Sequence, residues 1–348
     1  MSDCIERVTH PKAESPVLAR AFWNTLCYGE IVALDEIEGW PASTELRSAL
    51  AGRTREVLAA VGDRLAEIST VIMSSEDRVL SANPRPQSSV LVLAACVSAG
   101  GSWQHALWPA VAMDCAMAAA DVFDDIADGE AATLSERFGP GSVLIGSAGL
   151  LALAAGIVLR GIHDGLPERT VIDLGRLLSE ELAQAADGQA RSLAPHAVTD
   201  AVDAYEVAAA KSGPLGSLAA RLGARAACDD PELLRLYGRF GWHLAVYSQL
   251  LNDARDAAPG GSKQKRDVRE GRQTVPLVFT GSAGAPADLQ GRALAEWEER
   301  ERQRVAAEGG VLAAVALAQA ERLRAQEVLD ALTQLGRPVQ MLRHLLER

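Results

Sequence analysis

Aromatic residues and cysteines are scarce in this sequence. Phe, Trp and Tyr make up 4% of the 348 residues, and the five cysteines show no Cys-x-x-Cys pair or other zinc-like spacing. This argues against a disulfide-stabilised secreted scaffold and against a structural zinc site, so we expect reduced thiols in a cytoplasmic protein. The N-terminus has no basic stretch leading into an apolar run, so a signal peptide is not expected either.

Positive charge is also in short supply. The chain carries 34 Lys and Arg against 46 Asp and Glu, a net charge of −12, and no basic patch is interleaved with aromatics. Nucleic acid is therefore not an expected partner. Segment 143–159 is uncharged but slightly short for a membrane span. We expect it to be a buried core helix, and we expect no transmembrane segment.

Long runs of β-branched residues are few, whereas Ala and Leu dominate, which favours an all-α fold. Loops are expected at 129–141 and 257–273, where Gly, Pro and charged residues cluster. No linker divides the chain into two cores, so we expect an N-terminal helical extension (1–75) and one catalytic domain (76–348). The predicted helices cover 43–69, 108–128, 141–160, 170–192, 198–222, 231–256 and 310–348, the last with a break at 336–338.

Two short acidic clusters stand out against this apolar background. Both have the spacing i, i+1 and i+4, which places their oxygen ligands together on one side of a helix. Like charges in an apolar segment are unfavourable unless a cation compensates them, and Mg²⁺ prefers carboxylates, water and substrate phosphates as ligands. Two facing helices of this kind predict a site for a magnesium-bound diphosphate. The ligand residues are Asp124, Asp125 and Asp128 in the first cluster, and Asn252, Asp253 and Asp256 in the second.

Further motifs follow the first cluster in a recognisable order. With both clusters, they make the chain resemble the trans-isoprenyl diphosphate synthases of the polyprenyl synthetase family, from roughly residue 80 to residue 345. One acidic motif would be weak support, but five motifs in order at family-like spacing are specific. The other motifs are Gly188-Gln189, the Lys-Ser-Gly segment within 205–215, Gln249 before the second cluster, and 266–271 followed by 274–277.

The resemblance implies a single helical bundle of the isoprenoid synthase type, with a deep central cavity and the clusters at its mouth. Three Mg²⁺ ions would bridge the clusters to an allylic isoprenyl diphosphate, whose ionisation gives a carbocation. Such proteins are usually homodimers. Small side chains at the pocket floor would admit a substrate of about C15 to C25. By resemblance, Asp124, Asp125 and Lys211 are catalytic; Gln189, Lys211, Gln249 and Lys265 or Arg266 bind substrate; and Ala119 and Ala120 form the floor.

The site for isopentenyl diphosphate, the usual acceptor, departs from the family pattern. The Gly-Gly-Lys-Arg-x-Arg-Pro segment falls on 82–88, where Arg85 alone keeps its charge. The acceptor-binding His falls on Met117, and Arg137 is the nearest candidate for the missing Arg-Arg-Gly. Each lost charge-assisted bond costs about 1.5–3 kcal/mol. We therefore expect a retained donor site and a dismantled acceptor site.

Three hypotheses follow. The first is a prenyltransferase whose acceptor differs from isopentenyl diphosphate. The second is a terpene cyclase, in which an alkene of the same substrate captures the cation; against it, Asp256 and Gly260 occupy the Ser and Glu positions of the cyclase triad that begins at Asn252. The third is a non-catalytic subunit of a heteromeric synthase, which two intact acidic motifs disfavour.

Overall fold

The computed structural model describes residues 40–41, 43–74, 87–129, 131–194, 198–261 and 266–347. These residues contain fourteen α-helices and two 3₁₀ turns (Trp103–Ala106 and Arg160–Ile162) and no strand, which confirms the predicted all-α fold. The helices are α1 Ser43–Leu58, α2 Asp63–Met73, α3 Gln87–Ser98, α4 Leu107–Ala127, α5 Ala132–Phe138, α6 Pro140–Leu159, α7 Glu168–Leu193, α8 Ala201–Ala227, α9 Pro231–Ala257, α10 Asp267–Glu270, α11 Val275–Phe279, α12 Gly291–Ala307, α13 Gly310–Gln334 and α14 Gln340–Glu347.

The two longest central helices, α8 and α9, have clear start signals. The Asp200 carboxylate accepts hydrogen bonds from the first-turn amides of Val202 and Asp203, and Asp230 does the same for Glu232 and Leu233. Such caps satisfy amides that have no partner within the helix. The starts of both helices, and hence the register of the site residues they carry, are therefore fixed by local sequence.

Helix α8 lies at the centre of the bundle and packs against α3, α7 and α9. Its approach to α9 is unusually close. A Cβ added at Gly216 would lie 2.1 Å from the Gly241 carbonyl oxygen, and one at Gly241 would lie 2.0 Å from that of Gly216. Any side chain at either position would clash with backbone, so the two glycines allow α8 and α9 to touch along their main chains.

A second, smaller core lies beyond the C-terminal end of α9. It consists of buried side chains from α9, α10, α11 and α12, with Trp297 packed against it: Ala257, Val268, Leu277 and Val305. This cluster holds the segment that follows α9 against the end of that helix. It therefore positions residues 266–272 beside the second acidic cluster.

Three expectations about local structure are wrong. The single helix at 43–69 is two helices, because Gly62 is extended (ψ 147°) and begins a new helix at Asp63. The loop at 129–141 contains α5, and the loop at 257–273 contains the single turn α10. Glycines and prolines at the borders of these segments suggested loops, but tertiary packing supports a short helix within each.

Helix α6 was expected to be a buried core helix, and this is also wrong. Only 39% of the most apolar stretch within Pro140–Ile162, which includes α6, is buried. In Trp103–Ala127, which includes α4, 78% of the corresponding stretch is buried. Both are long and apolar enough to span a membrane by length and composition, a test that core helices of soluble proteins also pass. The absence of membrane spans thus stays a prediction. The exposed apolar face of α6 includes Leu144, Ile145 and Leu159, and Ile162 in the 3₁₀ turn continues it.

The N-terminal helices α1 and α2 contribute Leu50 and Ile72 to the main core. Helix α2 also packs closely on α6, since a Cβ at Gly146 would lie 2.4 Å from Ile68 Cγ2. The proposed boundary near residue 75 stays a prediction, and residues 1–39 lie outside the described part of the chain.

Candidate active site

The two acidic clusters lie at the C-terminal ends of α4 and α9, and Lys211 of α8 lies between them. Burial raises the pKa of Asp128 and of Asp253, one residue from each cluster, and the Lys211 ammonium partly offsets both rises. Carboxylates from two helices and a cation from a third therefore share one electrostatic environment. The roles assigned to these residues from the sequence stay predictions.

Lys211 binds the first residue of the first cluster directly. Its Nζ donates to both carboxylate oxygens of Asp124, at 2.9 and 3.0 Å. Gln189 Nε2 of α7 donates to Asp124 Oδ1 at 2.6 Å, and Ser192 Oγ donates to the Gln189 backbone oxygen at 2.7 Å. Two of the predicted residues, Lys211 and Gln189, thus both contact a third, Asp124.

The backbone before Lys211 has an unusual environment. Pro214 lies inside α8 and has no N–H, so the Ala210 carbonyl loses its helical donor. At this point α7 approaches closely, because a Cβ at Gly188 would lie 2.3 Å from the Ala210 carbonyl carbon and 2.5 Å from the Lys211 nitrogen. Gly188 is therefore required for α7 to lie against the peptide that carries Lys211.

The second cluster is connected to α8 through the residue next to Lys211. Ser212 Oγ donates to Gln249 Oε1 at 3.0 Å, and Gln249 Nε2 donates to Asp253 Oδ1 at 2.8 Å. Gln249 was predicted as a site residue, but the role of Ser212 was not. Of two adjacent residues of α8, Lys211 thus contacts the first cluster, and Ser212 is connected to the second through Gln249.

Asp253 is 6% exposed, and burial raises its pKa to about 7. That pKa already includes smaller contributions: Asp267 and Asp256 also raise it, whereas the Gln249 hydrogen bond and Lys211 lower it. A buried carboxylate surrounded by further carboxylates is costly to ionise. The second cluster therefore has an excess of negative charge that a bound cation would relieve.

Arg272 was missed by the sequence analysis. It forms a short ion pair with the Asp128 carboxylate, and its Nη2 donates to the Asp128 carbonyl at 3.2 Å. Burial raises the pKa of Asp128, while this guanidinium lowers it. Nearby, the Arg266 guanidinium lies beside Gly129, since a Cβ there would be 3.1 Å from Arg266 Nη1. Both arginines thus reach the end of α4.

Helix α12 supports the second cluster from behind. Arg302, 4% exposed, donates from Nε to the Asp256 carbonyl at 3.1 Å, and Glu298 of the same helix pairs with Arg269 at 2.5 Å. A cation at a helix C-terminus is stabilising. A helix of alternating charge is typical of a solvated surface, so these buried pairs could not be predicted from the sequence.

The remaining predicted ligand and substrate-binding residues are more exposed or lie outside the described part of the chain. Asn252 is exposed and accepts from Arg255 Nη1 at 2.9 Å, while Asp125 and Asp256 are half-buried. Arg137 is exposed and stacks on Phe138, with its Cζ 4.9 Å from the ring centroid, so its role towards the acceptor stays a prediction. Arg85 and Lys265 lie outside the described residues.

The two residues predicted to form the pocket floor differ in burial. Ala119 is fully buried in the main core, whereas Ala120 is half-buried. Met117, at the position of the family's acceptor-binding His, is half-buried and packs against the same core. A thioether carries no charge, so this position offers no cation to a second diphosphate.

The donor set fits a hard divalent cation. All six predicted ligands offer oxygen, the donor that Mg²⁺ prefers. Within the described residues, no three acidic, His or Cys side chains already converge as metal ligands. Asp124 and Asp128 are held by Lys211 and Arg272 instead. Metal binding would therefore require these carboxylates to exchange a protein cation for the metal.

Comparison with known proteins shows the family and the fold. The sequence model of the family described as polyprenyl synthetase matches residues 80–308. The geranylgeranyl pyrophosphate synthetases of the archaeon Geoglobus acetivorans and of Pyrococcus horikoshii have similar folds, with TM-scores of 0.69 and 0.70 at 18% and 20% identity. The alignments cover 88% and 87% of this chain and 97% and 94% of theirs.

A third similar structure is a polyprenyl synthase from Caulobacter crescentus, complexed with calcium and isoprenyl diphosphate. Its TM-score is 0.64 at 20% identity, over 86% of this chain and 95% of that one. At such identities these structures establish the fold. No curated protein sequence matches the chain.

Proposed function

The chain belongs to the polyprenyl synthetase family and is a prenyltransferase of isoprenoid biosynthesis, and from this premise we propose that it ionises an allylic isoprenyl diphosphate with Mg²⁺ and transfers the prenyl group to an acceptor other than isopentenyl diphosphate. The proposed substrate has about C15 to C25, as the small residues at the pocket floor suggest. Three Mg²⁺ ions are proposed, as the family resemblance implies.

The observation that carries this proposal is the position of Lys211 between the clusters. Its ammonium pairs with the Asp124 carboxylate at 2.9 Å. The same charge partly offsets the rise in pKa that burial causes at Asp128 and Asp253. A diphosphate bound there would receive a charge-assisted hydrogen bond from Lys211 as negative charge develops on the leaving group. Gln189 orients Asp124, and Gln249 orients Asp253, each through a hydrogen bond.

The metal would be held by the two predicted ligand sets. When bound, Mg²⁺ supplies Lewis-acid stabilisation of the departing diphosphate. Asp253 must lose its proton to serve as a ligand, and Gln249 fixes its orientation by donating to Oδ1. Arg302 fixes the end of α9 through the Asp256 carbonyl. The ligands are Asp124, Asp125, Asp128, Asn252, Asp253 and Asp256.

The proposed acceptor lacks a diphosphate because few cations remain for it. The segment equivalent to the family's acceptor loop keeps only Arg85, and Met117 replaces the acceptor-binding His. Loss of two or three charge-assisted bonds weakens binding of a second diphosphate by orders of magnitude. The acceptor is therefore a nucleophile recognised without such contacts.

The test is incubation of purified protein with Mg²⁺ and geranyl, farnesyl or geranylgeranyl diphosphate, with and without isopentenyl diphosphate, followed by mass spectrometry. We expect no elongated diphosphate. A longer product that requires isopentenyl diphosphate would overturn the acceptor assignment. A hydrocarbon or alcohol from the allylic diphosphate alone would favour the cyclase alternative. Absence of diphosphate release with a supplied nucleophile library would favour the non-catalytic subunit.

The chain length can be tested at the pocket floor. We expect Ala120→Phe to shorten the longest allylic diphosphate accepted, because Ala120 is half-buried and a ring there would fill space below the site. The measurement is turnover of the C15, C20 and C25 diphosphates. Ala119→Phe is the matched variant: Ala119 is fully buried, so overpacking should cost about 1–3 kcal/mol of stability. An unchanged substrate profile in Ala120→Phe would place the floor elsewhere.

We also propose that the protein is a homodimer and that the outer face of α6 forms part of its interface. This face exposes Ile145 by 69%, Leu159 by 55% and Leu144 by 46%, and no charged residue lies between 141 and 159. Uncharged apolar faces of this extent are typical of protein–protein interfaces.

We expect Ile145→Arg to weaken this dimer about tenfold to a hundredfold, because the charge would be buried in place of apolar surface worth about 1.5–3 kcal/mol. The measurement is mass by light scattering across a dilution series. The control is Leu323→Arg on α13, where Leu323 is 63% exposed outside the α6 face. A dimer equally stable in both variants would exclude α6 from the interface.

A further inference from the structure

Arg272 uses all three guanidinium nitrogens at the edge of the first cluster. Nη1 pairs with the Asp128 carboxylate. Nη2 donates to the Asp128 carbonyl at 3.2 Å and to Glu270 at 2.9 Å. Nε donates to Glu270 at 3.2 Å and lies 3.5 Å from Asp267 Oδ1. The side chain is 22% exposed and Asp128 is 9% exposed, so water screens this pair only partly.

The contact joins distant parts of the chain. Asp128 ends α4, whereas Arg272 follows α10 and lies 144 residues later. It is the counterpart of Lys211, which holds Asp124 at the other end of the same cluster. In this structure the first and last carboxylates of the cluster thus each have a protein cation, and the two cations come from different elements.

A carboxylate that neutralises a guanidinium is a weaker ligand for a divalent ion, because both partners compete for the same negative charge. Two of the predicted ligands, Asp124 and Asp128, are in this position, because Lys211 and Arg272 pair with them. Lys211 already has a proposed role towards the diphosphate. Arg272 has none in the mechanism above, yet it makes the more extensive contact.

We propose that Arg272 is a positioning residue that acts as the resident counter-ion of Asp128: it ties α4 to the segment after α9 when metal is absent, and a divalent ion competes with it for the Asp128 carboxylate. The proposal rests on the assignment of Asp128 as a metal ligand in the proposed function. It implies that Arg272 stabilises the metal-free site and lowers its affinity for metal.

The test is binding of Mn²⁺ alone to the full-length protein, measured by electron paramagnetic resonance of the free ion, with no substrate present. We expect Arg272→Gln to bind Mn²⁺ about threefold to tenfold more tightly, the range for losing one partly screened charge-assisted competitor. Arg272→Lys keeps the charge without the fork and should give a smaller increase. In an Asp128→Asn background the substitution should have no effect on Mn²⁺ affinity.

Thermal unfolding in EDTA supplies the second readout. Arg272→Gln should lower the thermal unfolding midpoint in EDTA. Adding Mn²⁺ should raise the midpoint of this variant by more than it raises that of the parent protein. The control is Arg304→Gln, since Arg304 on α12 contacts Glu301, Glu308 and the Thr280 carbonyl rather than a residue of either cluster. It should lower the midpoint without changing Mn²⁺ affinity.

Unchanged or weaker Mn²⁺ binding by both folded Arg272 variants would overturn the competition while leaving the proposed function intact. No Mn²⁺ binding by the parent protein would overturn both, because the metal assignment itself would then be wrong. An equal increase of affinity in the Asp128→Asn background would also overturn the proposal, since Arg272 would then act on another ligand.

Discussion

Asp124→Ala and Asp253→Ala are each expected to lower the rate of magnesium-dependent diphosphate release by about two to three orders of magnitude. Asp124 is the partner of Lys211 and Gln189, and Asp253 ends the chain of hydrogen bonds from Ser212 through Gln249. Either change removes one predicted ligand and releases the groups that it orients. The measurement is diphosphate release from an allylic diphosphate with Mg²⁺, alongside helical content by circular dichroism.

Helical content should stay unchanged, because alanine has the higher helix propensity. Asp253→Ala should also keep its thermal midpoint in EDTA, since it removes a buried carboxylate whose pKa burial raises to about 7. Asp288→Ala is the control, because Asp288 is exposed in the segment between α11 and α12. Full activity in either site variant would refute the assigned metal site.

Gly188→Ala should destabilise the fold and should also impair catalysis. The added Cβ would lie 2.3 Å from the Ala210 carbonyl carbon and oxygen, so α7 or α8 must move. Overpacking of this kind costs about 1–3 kcal/mol. Displacement of the Lys211 peptide should also raise KM for the allylic diphosphate. Urea unfolding and substrate kinetics together measure both effects.

Gly175→Ala is the matched control on the same helix. No atom lies within 4 Å of a Cβ added there. Since glycine is a poor helix former, this variant should gain about 0.5–1 kcal/mol. Equal behaviour of the two variants would mean that the close contact at Gly188 relaxes without consequence, and the proposed support of Lys211 would be wrong.

The acidic clusters and Lys211 could be predicted because each has a local signature. Three oxygen ligands at i, i+1 and i+4 define one helix face, and Lys211 lies in a short motif that resembles the family's. The all-α fold was predictable for the same reason, since helical periodicity is visible in any window of two or three turns. These features depend on neighbours in sequence.

Ser212 and Arg272 could not be predicted because their partners depend on packing. Ser212 meets Gln249 only because α8 and α9 are held in one register. Arg272 reaches Asp128 from a loop, where no periodic pattern marks which way a side chain points. The exposed face of α6 was missed because an uncharged run looks the same whether one side or both sides of the helix are covered.

The backbone contact between Gly216 and Gly241 has a mechanical consequence. Where side chains separate two helices, a change of rotamer can alter their spacing by an ångström without breaking the fold. Here main chain meets main chain, so the separation of α8 and α9 is fixed by atomic radii. The helix that carries Lys211 and the helix that carries Asp253 therefore behave as one stiff unit. We therefore expect adjustment to substrates of different length to come from α4 and α7, which contact α8 around Lys211.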